Sequence, residues 1–377
     1  MKKILAVICA SPDQIPIVNK AKEMGIETHC FAWDKEYYSA CKGIADYFHP
    51  ISILEKEEIL EVCKEIKIDG VTSNDDYAIP TVAYVAQNMG LTGNNYEDML
   101  MASNKFTMRQ ALYQNGVNSP RFTLASESVD LTNFKYPLIV KPVDRALSIG
   151  VIKVEREEDL QEAVQKAINL SHCKEAIIEE FISGLDIEAS VDAVSYNGKH
   201  YITAIGDIEF AKTEDLFLLL GKHYPSHFSP EILNRVKTET LKALKAINFK
   251  NGVSNTQFKI TETGEVFSIE ISPRPSFVTA NHKINIGSDL IKALIDIAMG
   301  QFEEPVFTND KIYSGLVYLC KETEWARQVI ENKECDPNIV EAEFYENGDD
   351  EYGGRSGYFV YQSKQKTNYN QFISSEK

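Results

Sequence analysis

No apolar run in this 377-residue chain approaches the roughly 20 residues needed to cross a bilayer. Basic residues are also scarce: 39 Lys and Arg stand against 56 Asp and Glu, a formal charge of -17. So acidic a surface repels phosphate backbones and anionic lipid, which argues against nucleic-acid and membrane partners while leaving room for a local basic pocket. The seven cysteines (9, 30, 41, 63, 173, 320 and 335) are odd in number, with no close pair at metal-ligand spacing. Reduced thiols in a cytoplasmic protein are the simplest account. Glycine is missing from the first strand-to-helix turn, Ala10-Ser11-Pro12-Asp13-Gln14. A dinucleotide fingerprint needs glycines there to admit a pyrophosphate, so a nicotinamide or flavin enzyme is not expected, and Asp34 reads as a turn or cap.

What is present is ordinary globular material, 44% hydrophobic and 25% charged, enough for two or three domains. Met1 to Ala10 has two lysines and a short apolar stretch, but Ser11-Pro12-Asp13 and an amphipathic helix follow at once. It therefore reads as a first buried strand rather than a signal peptide. Strand and helix alternate through the first hundred residues, which implies a parallel sheet with helices on both faces. A helix over 104–115 and an extended segment over 117–122 follow. Strands are then expected at 136–141, 150–154, 175–181, 188–193 and 203–210, with a helix over 159–170 among them. A helix over 230–247 leads to a hairpin, 255–260 and 266–271, around Glu262-Thr263-Gly264. A helix over 289–299 and strands at 312–320 and 358–362 complete the pattern.

Three segments carry chemistry. Tyr136-Pro137-Leu138-Ile139-Val140-Lys141-Pro142 is an apolar strand ending in a lysine, which is costly unless the lysine reaches water or an anion. Next comes Ile177-Ile178-Glu179-Glu180-Phe181-Ile182-Ser183-Gly184-Leu185-Asp186-Ile187-Glu188, two strands joined by a short connector. Such a connector can offer backbone groups to an adenine edge, and the acid past Gly184 can bind ribose. The third segment places Glu270 inside an apolar β-run, where an unpaired carboxylate costs several kcal/mol. Strand alternation puts Ser272 on its face, and the hairpin can bring Gln257 beside it, with Arg274 just beyond. Oxygen ligands beside an arginine suit Mg²⁺ holding a polyphosphate.

In this order and spacing, the segments resemble the ATP-grasp superfamily of ligases, over nearly the whole chain. The resemblance implies an α/β and α+β fold. An N-terminal parallel α/β domain spans 1–103, nucleotide-binding lobes span 104–300 with a small lid lobe near 120–182, and a C-terminal lobe spans 301–377. It implies phosphate contacts from Lys105 and Lys141 and a lid from Asp144 to Gly150. That lid has one glycine, so Ser148 and backbone N–H groups would serve. It implies adenine contacts at Glu179 and along Phe181 and Ile182, and ribose contacts at Asp186 and, more weakly, Glu188. Metal ligands are implied at Glu270, Gln257 and Ser272, binding Mg²⁺ or Mn²⁺. Gln257 stands where most members carry an acid, and Ser272 where many carry Asn. Carbamoyl-phosphate synthase large subunits share the glutamine.

The implied reaction uses ATP to turn a small-molecule carboxylate into an acyl phosphate that an amine then captures, with the joining of two amino acids as one form it can take. Arg274, Lys141 and His282 are the implied catalytic residues. The resemblance also suggests a homodimer. The segment from Lys212 to Phe228 is expected to border the acceptor pocket, with His223 and His227 either there or on a surface loop. Arg355 is open as a substrate or structural residue. Bicarbonate or carbamate activation and a non-catalytic ATP-binding regulator are the alternatives.

Overall fold

The computed structural model describes residues 2–35, 37–125, 131–146, 148–211, 218–276, 278, 284, 286–305, 312–345 and 354–370. The first sheet is parallel, ordered β3-β2-β1-β4 from β1 (Ile4–Ile8), β2 (Glu27–Phe31), β3 (Tyr47–His49) and β4 (Gly70–Thr72). β1 is wholly apolar and almost wholly buried, as a parallel strand covered on both faces must be. Helices α1 (Ile15–Glu23), α2 (Lys56–Ile66) and α3 (Ile79–Met89) connect these strands or follow them.

Then come α4 (Tyr96–Ser103) and α5 (Lys105–Gln114). Asn104 caps α5, its side-chain oxygen accepting from the N–H groups of Phe106 and Thr107 at 2.9 and 3.2 Å. That cap places Lys105 at the helix entrance. A second sheet is antiparallel, in the order β5-β8-β6-β7. Its strands are β5 (Phe122–Leu124), β6 (Leu138–Pro142), β7 (Ile152–Val154) and β8 (Ala176–Glu180), backed by α6 (Glu157–Leu170).

The third sheet has eight strands in the order β13-β12-β9-β10-β11-β14-β16-β15. They are β9 (Ile187–Tyr196), β10 (Lys199–Phe210), β11 (Leu219–Tyr224), β12 (Gly252–Ile260), β13 (Val266–Ser272), β14 (Tyr313–Leu319), β15 (Ile339–Phe344) and β16 (Gly357–Ser363). Helices α7 (Pro230–Ala246), α8 (Leu290–Ala298) and α9 (Ala326–Glu331) pack around it. α8 does most to unite the molecule: its Leu290, Ile291, Leu294 and Ile295 share one core with Leu5, Val7, Ile17 and Val18 of the first sheet's layer. Each such side chain contributes about 1.5–3 kcal/mol on burial.

The mixed parallel and antiparallel architecture expected from the sequence is the one observed. Among the described residues, no helix is long and apolar enough to cross a membrane. Several elements depart from the expectations, among them β3, which was not read as a strand. α4 was not anticipated; it starts at Asn95, whose side chain accepts from the Asp98 N–H. β15 and α9 lie in a stretch too polar to read. β11 corrects the reading of His223, which is no loop residue: it lies on a central strand, 1% exposed, with Nδ1 2.8 Å from the Tyr361 hydroxyl. Lys222 and His223 broke the apolar run that signals a buried strand.

Candidate nucleotide and phosphate site

A β-bulge sets the geometry of the metal-type residues. β12 pairs with β13 so that Gln257 faces Glu270 and Asn255 faces Ser272, but Phe258 then faces Ser268, which leaves Ile269 as the extra residue. Upstream of the bulge, Val266 and Ser268 point into the core; downstream, Glu270 and Ser272 stay half-buried while Ile271 points inward. One inserted residue therefore turns Glu270 out of the core. Its carboxylate meets Lys105 Nζ at 3.0 Å, and Lys105 also donates to the Arg145 carbonyl at 2.8 Å. Burial alone would raise the Glu270 carboxyl and lower the Lys105 ammonium. Their pairing outweighs it on both sides, so Glu270 lies below and Lys105 above its ordinary value.

Behind this pair lies a second, deeper one. Lys141 ends β6 with its Nζ 2.7 Å from Glu179 Oε2 on β8. The other Glu179 oxygen accepts from Arg109 Nε and Nη2 at 2.9 and 2.8 Å. Burial pushes the Glu179 carboxyl up, but Arg109 and Lys141 overcome it and hold it at about 2. Burial, together with Arg109 and Lys105, pulls the Lys141 ammonium down despite Glu179. Sequence reasoning missed Arg109, which is 0% exposed. It also donates to the carbonyls of Ser268 and Ile269 at 2.7 and 2.9 Å, so it braces the bulge itself. The available signal was an arginine one turn past Lys105, between the buried Met108 and Leu112.

The connector between β8 and β9 is held at Gly184, where an added Cβ would lie 2.2 Å from the Ile260 carbonyl oxygen. Leu185 N–H donates to the same oxygen at 2.9 Å. Phe181 and Ile182 are half-buried along this connector and Asp186 is exposed. Lys153 Nζ sits 4.6 Å from the Phe181 ring centroid, a cation–π distance. Glu188 pairs in register with Lys259, 3.9 Å away, and its carboxyl is raised by burial. In the lid, Asp144 accepts from the N–H groups of His172 and Cys173 at 3.1 and 2.8 Å. Ala146 N–H donates to the Tyr77 hydroxyl at 3.3 Å. Ser148 is exposed and has φ 57°.

A further layer was not anticipated. Arg274 pairs with Asp76 of the turn after β4 at 2.5 Å and donates to the Pro275 carbonyl at 2.8 Å. Burial would lower the Arg274 guanidinium, but Asp76 raises it. Lys222, 2% exposed, donates to Ser276 Oγ at 2.9 Å and lies 3.8 Å from Asp192. Burial, with Arg274 nearby, holds the Lys222 ammonium down at about 8 against the pull of Asp192. Asp192 in turn accepts from Tyr224 and, at 2.8 Å, from Asn255. His227 Nδ1 lies 2.9 Å from Asp207. His282 and residues 212–217 lie outside the described residues. Lys105, Lys141, Glu179, Glu188, Glu270 and Arg274 thus share one electrostatic neighbourhood, with Gln257 and Ser272 at its rim. Phe181, Ile182, Asp186 and Ser148 belong to the flanking connector and lid.

Residues 134–277 match the ATP-grasp domain family, so the chain carries an ATP-grasp domain. Among individual proteins, it is 27% identical over 307 residues to an alanine–anticapsin ligase of Bacillus amyloliquefaciens, covering 70% of this chain. The match spans 63% of that relative, less than two thirds of its length. A D-alanine–D-alanine ligase of Prosthecochloris aestuarii is 35% identical over 158 residues, 40% of this chain and 42% of that one. The crystal structure of an L-amino acid ligase from Bacillus licheniformis superposes with a TM-score of 0.76 at 20% identity, covering 97% of this chain and 94% of the other. At that identity the likeness is one of fold.

Proposed function

We propose that this protein is an ATP-dependent carboxylate–amine ligase for small molecules, working through an acyl phosphate. The observation that carries this reading is the nested pair of ion pairs, Lys105–Glu270 and Lys141–Glu179, with Arg274 bordering them. No protein nucleophile is needed. A substrate carboxylate oxygen bonds to the γ-phosphorus of ATP as the bond to the β-phosphate oxygen breaks and ADP leaves. The amine then bonds to the acyl carbon, phosphate leaves, and the amine gives up a proton.

The first step brings two anions together, so charge neutralisation and in-line positioning dominate the barrier. Lys105 and Lys141 cradle the phosphates. Arg274 steadies the transferred group or the substrate carboxylate, and Glu179 holds Lys141 extended toward them. The connector over Phe181 and Ile182 takes the adenine, and Asp186 with Glu188 the ribose.

Glu270, Gln257 and Ser272 fit a Mg²⁺ ion. They offer one carboxylate and two neutral oxygens on one face, and a hard cation can complete its shell with phosphate oxygens and water. Among the described residues, no group of three or more His, Cys, Asp or Glu could hold a metal without such help. When bound, the ion screens phosphate charge. All seven cysteines are free thiols, five of them buried, which suits a reducing compartment such as the cytoplasm.

The test is ADP and phosphate release with Mg-ATP across carboxylates crossed with amines, including all amino-acid pairs and bicarbonate. Release that requires both a carboxylate and an amine is expected, and it is expected to disappear in Glu270→Ala with folding intact. Release with bicarbonate alone contradicts the ligase reading.

A further inference from the structure

The turn between β4 and α3, residues 73–78, touches two parts of the site at once. Asp76 holds Arg274 Nη2 at 2.5 Å. Its neighbour Tyr77 reaches the other way. The Tyr77 hydroxyl accepts from the Ala146 N–H at 3.3 Å, and its ring meets the His172 ring edge-on, with centroids 5.7 Å apart. His172 Nε2 accepts from the Arg145 guanidinium at 2.6 Å, since a guanidinium can only donate. The Arg145 carbonyl accepts from Lys105 Nζ at 2.8 Å. Tyr77 therefore rests on the start of the lid, Asp144 to Ala146, where the lid is tied to a phosphate lysine.

The turn is braced so that position at one contact passes to the other. Ser73 Oγ donates to the Ile8 carbonyl at 2.5 Å and accepts from the Asp75 N–H at 3.1 Å, which anchors the turn to β1. Asp75 Oδ1 accepts from the N–H groups of Tyr77 and Ala78 at 2.9 and 3.1 Å. These local bonds enclose Asp76 and Tyr77, so the two residues shift together. On the lid side, Asp144 accepts from the N–H groups of His172 and Cys173, so His172 and the start of the lid form one piece. The Tyr77 side chain is 37% exposed, so its truncation opens no core cavity.

We infer that Tyr77 is a positioning residue that couples the seating of the lid to the aim of Arg274. With Tyr77 against Ala146 and His172, the turn is held from the lid side and Asp76 presents its carboxylate to Arg274 in one orientation. Without that contact the turn loses an anchor, and Arg274 follows Asp76 out of line. Phosphoryl transfer then depends on the lid through Arg274 as well as through the cover the lid gives the phosphates. The inference rests on the ligase reading above, which assigns Arg274 to the transferred group or the substrate carboxylate.

A double-mutant cycle tests it. Tyr77→Ala removes the ring and hydroxyl that meet the lid, Asp76→Asn removes the charge that aims Arg274, and a third variant combines them. ADP release with a working carboxylate–amine pair gives kcat and KM for each. Tryptic cleavage after Arg145, followed by mass analysis with and without AMP-PNP, reads the seating of the lid separately from turnover.

Tyr77→Ala is expected to lower kcat by about tenfold or more, with both substrate KM values within about threefold of wild type. The double variant is expected to fall no further than the poorer single variant, within about threefold, because both changes act through one arginine. With AMP-PNP bound, cleavage after Arg145 is expected to quicken in Tyr77→Ala and to stay as in the wild type in Asp76→Asn. An unchanged kcat or unchanged cleavage in folded Tyr77→Ala overturns the inference and leaves the ligase reading standing. So does a double variant whose loss is the product of the two single losses. Absence of ADP release by the wild type with every substrate pair removes the ligase reading and this inference with it.

Discussion

Glu179 accepts from Arg109 through one oxygen and from Lys141 through the other, in a place almost closed to water. Its neutralisation leaves two buried cations without a counter-charge, so Glu179→Gln is expected to lose roughly 3–5 kcal/mol of stability. The same carboxylate sets an acid limit. Its folded value of about 2 lies below the ordinary 4.5, so its contribution is fully present above pH 4.5 and is lost as pH falls toward 2. That contribution is roughly 3 kcal/mol, and urea unfolding of the wild type and of Glu179→Gln between pH 6 and 3 reads roughly 2 kcal/mol of it as the difference in pH dependence. Lys222 acts at the alkaline end. Its folded value of about 8 lies below the ordinary 10.5, so the folded protein gives up this proton first and stability is expected to rise between pH 8 and 10.5 through this group. Lys222→Met, which has no proton to lose, is expected to lack that rise in urea unfolding.

The helix, the hairpin and the connector differ in how far the sequence announces them. Asn104 ahead of an amphipathic run announces α5 and the position of Lys105, and the Thr263-Gly264 turn announces the hairpin that sets Gln257 opposite Glu270. The bulge at Ile269 is silent in the residue pattern, because an apolar residue is as natural in the ladder as outside it. Arg109 is marked only by its place one turn past Lys105, between Met108 and Leu112, and the carbonyls it braces are made available by that bulge. Lys222 and Asp192 each interrupt an apolar run, and their partner strands lie far apart in the chain. Gly184, by contrast, has a measurable consequence. Gly184→Ala forces its Cβ against the Ile260 carbonyl oxygen, so a loss of roughly 1–3 kcal/mol is expected. A weaker AMP-PNP Kd should accompany it in a calorimetric titration, because the displaced segment is the one assigned to the adenine.

Among the links between the first sheet's layer and the rest of the molecule are the apolar core shared with α8 and the ion pair between Asp76 and Arg274. The core fixes the layers; the ion pair aims one arginine. Asp76→Asn keeps the shape and removes the charge, so AMP-PNP binding is expected to change little. A misaimed arginine can cost turnover up to about 100-fold. Steady-state rates beside nucleotide titration separate the two effects, and an equal loss in both contradicts the assignment of Arg274 to the transferred group. Ligation of this kind depends on a carboxylate oxygen attacking ATP. Its most direct test is turnover with a carboxylate labelled with ¹⁸O in both oxygens, followed by mass analysis of the released phosphate. One ¹⁸O atom per phosphate is the predicted result, since the attacking oxygen leaves with phosphorus. Phosphate released without ¹⁸O would contradict the acyl-phosphate mechanism.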